Sequence, residues 1–199
     1  MKAKTILLSV FTVLLCFGAK AQGQEAIIRI VQDQAIFLND FQTTIHLKKK
    51  QFKFQIAFRG IEGVYVFASV RDSVYRFTEN SPIQDFQYLK LLELRDEDIF
   101  NANKELNISE TGWSYWFYSP TADWHPFSRK ITYVDTNKPL CTKAIRQLYA
   151  VDSREVVKLK DVNTPLYILF IAVASYDANG RPSKELLRRK LKIEWDNDD

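Results

Sequence analysis

The 199-residue sequence predicts a mostly β protein, a single antiparallel β-sandwich that is Ig-like in general architecture, with a barrel as second choice and room for one short helix. Three observations carry this. Phe52, Phe54, Ile56 and Phe58 alternate with Lys53, Gln55 and Ala57, which is the two-residue period of a half-buried strand. Residues 64–70 and 166–176 are apolar on both faces and rich in β-branched and aromatic side chains, as strands covered on two sides must be. Turn chemistry punctuates the runs at Gly60, Gly63, Asp72-Ser73 and residues 177–183.

Taken in order, residues 43–58 read as strands, and 64–70 as a second, more buried one. After the Asp72-Ser73 turn, Val74, Tyr75 and Phe77 predict the start of a third strand. Residues 86–94 fit an alternating strand through Tyr88, Leu92 and Leu94 and equally a short helix through Phe86, Leu89 and Leu92. The polar residues 95–98 and 101–104 read as an exposed connection before Leu106-Asn107-Ile108.

Gly112 leads into Trp113-Ser114-Tyr115-Trp116-Phe117-Tyr118, a strand with aromatic residues on both faces, which Pro120 ends. Residues 131–134 predict a short strand, 135–139 a turn and 156–159 another strand, while 140–151 fit helix or strand. Residues 166–176 and the segment in which Leu187, Leu191, Ile193 and Trp195 alternate with Arg188, Lys190, Lys192 and Glu194 predict a long hairpin. A helix carried through Trp195 would scatter these apolar residues around its cylinder.

Residues 1–21 have the layout of a cleavable signal peptide. Lys2 and Lys4 precede an apolar run at 5–17, and Ala19-Lys20-Ala21 places small side chains before the cut. The run is 13 residues, short of the roughly 20 that span a bilayer as a helix. Lipidation at Cys16 is disfavoured because Leu15 stands where a lipobox wants Gly or Ala.

The predicted mature chain, 22–199, is a single β-rich globular domain that is exported to the periplasm, the outer-membrane surface or the exterior, with no transmembrane span after cleavage. Cleavage removes Lys2, Lys4 and Lys20, so 28 basic residues become 25 against 24 acidic ones and the net charge falls from +4 to +1. That near-neutral balance argues against a nucleic-acid partner. Cys141 would be the one remaining cysteine, which excludes an intramolecular disulfide and reads as an inert, buried thiol.

The chemistry-bearing residues are sparse. Asp177-x-Asn179-Gly180 with Glu185 superficially matches a calcium loop, but its glycine and distal carboxylate are wrongly spaced, and a hairpin turn is the better reading. His46 and His125 are far apart, so no closed zinc site forms, and Asp96-Glu97-Asp98 reads as a solvated run. No metal or cofactor is expected.

Asp123 beside His125, with Ser119 or Ser128 nearby, is the alternative: a small secreted hydrolase, without a Gly-x-Ser-x-Gly elbow to support it. Arg188, Lys190 and Lys192 form a basic stripe that reads as the solvated face of an edge strand. Asn107-Ile108-Ser109 is a glycosylation sequon.

The strongest local feature is the aromatic cluster. The rings either fill the core or, in the compromise that strand alternation offers, Trp113, Tyr115 and Phe117 are buried while Trp116 and Tyr118 stay partly accessible and, with Trp124 beyond the strand, form an aromatic binding surface. The function expected is therefore a non-catalytic binding or assembly module of the cell envelope, with a protein or glycan partner.

Overall fold

A computed structural model describes residues 23–36, 43–76, 105–112, 114–118, 132–135 and 138–196. These form two five-stranded sheets and one three-stranded sheet, and none of them closes into a barrel among the described residues. The first sheet contains β1 (Glu25–Gln32), β2 (Ala35–Ile36), β4 (Phe52–Arg59), β8 (Thr132–Asp135) and β9 (Lys138–Ile145), in the order β2-β1-β4-β9-β8, with every pairing antiparallel. The second contains β3 (Thr44–Lys48), β5 (Gly63–Ser69), β7 (Ser114–Tyr118), β12 (Leu166–Tyr176) and β13 (Pro182–Asp196), in the order β3-β13-β12-β5-β7. The small sheet joins β6 (Glu105–Ile108), β10 (Gln147–Ala150) and β11 (Glu155–Lys158) in the order β11-β10-β6.

The main core lies between the two large sheets. Ile28 and Ile30 of β1 and Phe54, Ile56 and Phe58 of β4 meet Val64, Val66 and Ala68 of β5, Ile168 and Phe170 of β12, and Leu191 and Ile193 of β13. Phe54 and Phe170, both fully buried, meet edge to face with centroids 5.4 Å apart, the geometry that aligns a ring's positive rim with its neighbour's negative face. Leu106, Ile108, Leu148 and Ala150 add the small sheet to this core.

The opposite face of β5 and β12 carries a second cluster of Tyr65, Phe67, Leu169, Ile171 and Val173. This explains why both strands read apolar on two sides: they are the central strands of a sheet buried on both faces.

Several elements depart from expectation. Val74 and Tyr75 belong to a helical turn, α1 (Ser73–Arg76), instead of a third strand. The turn folds Val74, 1 % exposed, back onto Tyr65, Phe67 and Leu169, and a strand continuing away from the Asp72 turn would forfeit that burial. Residues 140–151 resolve as strands β9 and β10, broken at Arg146. The sandwich also contains two parallel pairings, β13 with β3 and β10 with β6.

The C-terminal hairpin forms as expected, in register from Leu166–Ile193 to Tyr176–Pro182 with bulges near its turn. Asp177 shapes that turn: its Oδ1 accepts the amides of Asn179 (2.9 Å) and Arg181 (2.8 Å), and Gly180 takes φ +73°. Residues 86–94 and 95–104 lie outside the described residues.

Candidate functional site: an aromatic strand at the sheet edge

The aromatic segment forms β7, among the described residues the outermost strand of its sheet, antiparallel to β5. Its register sets Tyr118 across from Val64, Phe117 from Tyr65, Trp116 from Val66, Tyr115 from Phe67 and Ser114 from Ala68. Val64, Val66 and Ala68 belong to the main core, and Tyr65 and Phe67 to the second cluster. The positions of Trp116 and Tyr118 thus border the rim of the main core, and those of Tyr115 and Phe117 the rim of the tyrosine-rich face. The side chains of β7 lie outside the described residues, as do Trp113, Ser119, Asp123, Trp124, His125 and Ser128.

The described face beside β7 is itself aromatic. Tyr65 and Phe67 stack at 6.3 Å, Tyr75 and Tyr167 meet edge to face at 5.7 Å, and the Tyr176 hydroxyl donates to that of Tyr65 at 3.4 Å. Burial pushes the phenols of Tyr75 and Tyr176 well above the usual tyrosine range, and the neighbouring Tyr65 adds to the effect at Tyr176. Both stay neutral at physiological pH and serve as packing groups, Tyr176 also as the hydrogen-bond donor to Tyr65.

The basic stripe is placed differently from expectation. β13 lies between β12 and β3, so the edge strand is β3, whose contribution comes from a distant segment running parallel to β13. Arg188 forms a bidentate pair with Glu185, with Arg188 Nη2 at 2.6 Å from Glu185 Oε2. Lys192 pairs with Glu194 two residues on, a contact that raises the lysine's pKa and lowers the glutamate's. Lys190 and Lys192 also place their ammonium groups 5.3 Å from the Tyr75 ring and 5.9 Å from that of Tyr167. The stripe therefore caps the tyrosine face with largely neutralised charge.

His46 on β3 lies with Nε2 3.6 Å from Glu194 and Nδ1 3.4 Å from Asp196, and its side chain is 59 % exposed. The carboxylates lie at opposite ring nitrogens and do not converge on a common ligand position. Among the described residues no group of three or more His, Cys, Asp or Glu side chains is arranged to hold a metal ion.

A compact polar knot, missed in the sequence, joins β6 to the turn between β10 and β11. The Asp152 carboxylate accepts from Ser109 Oγ (2.8 Å), the amides of Glu110 (2.6 Å) and Thr111 (3.1 Å), and Thr111 Oγ1 (3.0 Å). Ser109 Oγ also accepts the Gly112 amide at 2.8 Å, and its backbone carbonyl accepts from Ser69 Oγ. With Ser109 2 % exposed and its hydroxyl committed on both sides, the knot is a structural clasp and not a nucleophile.

The same strand settles the sequon's setting: Asn107 is fully buried within β6. Cys141 pairs with Ile56 in β9, and its side chain lies outside the described residues. Among the described residues no helix is long and apolar enough to cross a membrane.

No protein-family model matches the chain, and no curated protein is significantly similar to it. The functional reading therefore rests on the residues and their arrangement alone.

Proposed function

We propose that the chain is an exported, non-catalytic β-sandwich that acts as a binding or assembly module of the cell envelope, contacting a protein or glycan partner through Trp116, Tyr118 and Trp124. The observation that supports this most is the place of β7, a five-residue strand with four aromatic residues at the outer edge of a five-stranded sheet. Aromatic rings offer large, flat apolar area with little conformational entropy to lose, which suits them to sugar rings and to protein anchor pockets. At an edge they can reach a partner without opening the core. Export rests on residues 1–21, whose charged head, short apolar run and small residues fit signal peptidase processing.

The test is capture of envelope components by the purified protein and by a variant with Trp116→Ala, Tyr118→Ala and Trp124→Ala together. Capture lost while the melting temperature and circular dichroism stay close to wild type is expected. Unchanged capture would remove these residues from the site.

A further inference from the structure

A cut after Ala21 would leave Gln22 as the first residue of the exported chain, with Gly23 and Gln24 between it and the start of β1 at Glu25. A glutamine in first position has chemistry of its own. Its α-amine and its side-chain amide carbon are spaced to close a five-membered lactam, and holding both on one residue makes the attack intramolecular. Asparagine would need a strained four-membered ring, and glutamate lacks the amide that leaves as ammonia.

The described residues show how this end of the chain is presented. Gly23 and Gln24 are both exposed, and a Cβ added at Gly23 would meet nothing within 4 Å, so the approach to the residue ahead is open. The chain is tied down at Gln24, whose Oε1 accepts from Lys184 Nζ at 2.8 Å and whose Cγ lies 3.3 Å from where a Cβ on Gly60 would stand. Ladder pairing follows at once, with Glu25 opposite Arg59. The two residues ahead of this anchor span at most about 7 Å. An aminopeptidase that removed them would next reach Gln24 and then the first paired residue of β1.

We propose that Gln22 is a modification site: once residues 1–21 are removed, it is converted to an N-terminal pyroglutamate that seals the exported chain against aminopeptidases. The proposal rests on the export reading above. The neutral α-nitrogen of Gln22 attacks its own side-chain carbonyl carbon and forms a C–N bond. The bond from that carbon to the amide nitrogen breaks, one proton passes from the attacking to the leaving nitrogen, and ammonia departs. Nothing is oxidised or reduced, no co-reactant is consumed, and the positive charge of the terminus is lost.

The test is mass spectrometry of the N-terminal peptide of the protein freshly purified from the envelope or medium of its own cells, as wild type and as Gln22→Ala. The wild-type chain is expected to begin at residue 22 with a mass about 17 Da low, the ammonia lost, and to resist aminopeptidase. Gln22→Ala should begin at the same residue with full mass and be shortened by the same enzyme. A wild-type chain that begins at Gln22 with full mass, or that loses ammonia only on storage, would overturn the modification and leave export standing. Equal aminopeptidase resistance of the two proteins would overturn the sealing role. A cut at another residue would overturn the modification together with the cleavage site, and retention of residues 1–21 would overturn the export reading as well.

Discussion

Gln32 closes the turn after β3 by bonding Lys48 in both directions: its Oε1 accepts the Lys48 amide at 2.9 Å while its Nε2 donates to the Lys48 carbonyl at 3.1 Å. The same Nε2 lies 3.1 Å from the Lys50 carbonyl and 3.3 Å from that of Gln51. One amide at the end of β1 thus organises the connection by which the chain leaves the second sheet at β3 and enters the first at β4. Gln32 is 4 % exposed, so water cannot readily replace it.

Gln32→Ala should destabilise the protein by about 1–3 kcal/mol, the usual result of stranding buried polar groups. Gln32→Glu keeps the shape but turns a carboxylate toward three carbonyl oxygens. Its folded-state pKa is then raised, so its deficit relative to wild type should shrink as pH falls and a donor returns. Denaturant melts of both variants across pH measure this, and a deficit that grows on acidification would reject the clamp.

The Asp152 knot has the opposite pH signature. Desolvation pushes its carboxyl upward, but the hydrogen bonds from Ser109, Glu110 and Thr111 outweigh it and hold the pKa below the ordinary 3.8. A depressed folded pKa means that the stabilisation is complete above 3.8 and is lost as pH falls through the lower folded value. Asp152→Asn should therefore lower stability at pH 7 by no more than about 1 kcal/mol, given the exposed setting, and the difference from wild type should close in strong acid. Paired thermal melts at the two pH values are the check.

Phe170→Ala should cost about 3–5 kcal/mol, since it empties a fully buried site between the sheets and removes the edge-to-face partner of Phe54. Phe170→Leu, which refills most of the space, should recover more than half of that loss. Equal losses in urea melts would mean that the site does not depend on packing.

The turn between β1 and β2 holds Asp33 at φ +49° and Gln34 at φ +71°. A two-residue turn with both residues left-handed favours Gly or Asn at its second position. Gln34→Gly should raise stability by up to about 1 kcal/mol, read as a higher melting temperature. A lower one would show that Gln34 contributes more than its backbone conformation costs.

The legible elements were those whose pattern is local. β4 alternates cleanly, and β5 and β12 are apolar throughout because each has a core on both sides, a condition visible residue by residue. β1 is not legible in the sequence, although Ile28, Ile30 and Gln32 alternate inward, because Ile27 and Val31 blur the period. Val74 and Tyr75 have strand-forming side chains, yet burial against Phe67 and Leu169 bends them into a helical turn.

What sequence could not convey is pairing between distant segments: β3 beside β13 makes an interior strand of one that alternates like an edge, and re-employs its lysines over Tyr75 and Tyr167. The Gln32 clamp and the Asp152 knot are invisible for the same reason, since their partners are remote in the chain. For the candidate site, the aromatic run and its strand form were legible, while its position at the outer edge of the sheet came from the structure.

Backbone hydrogen exchange, with and without a captured envelope component, tests the proposed function most directly. The expected result is slowed exchange at residues 114–118, the aromatic edge strand, when the component is bound. A bound component that leaves exchange at these residues unchanged would contradict the assignment of β7 as the binding strand.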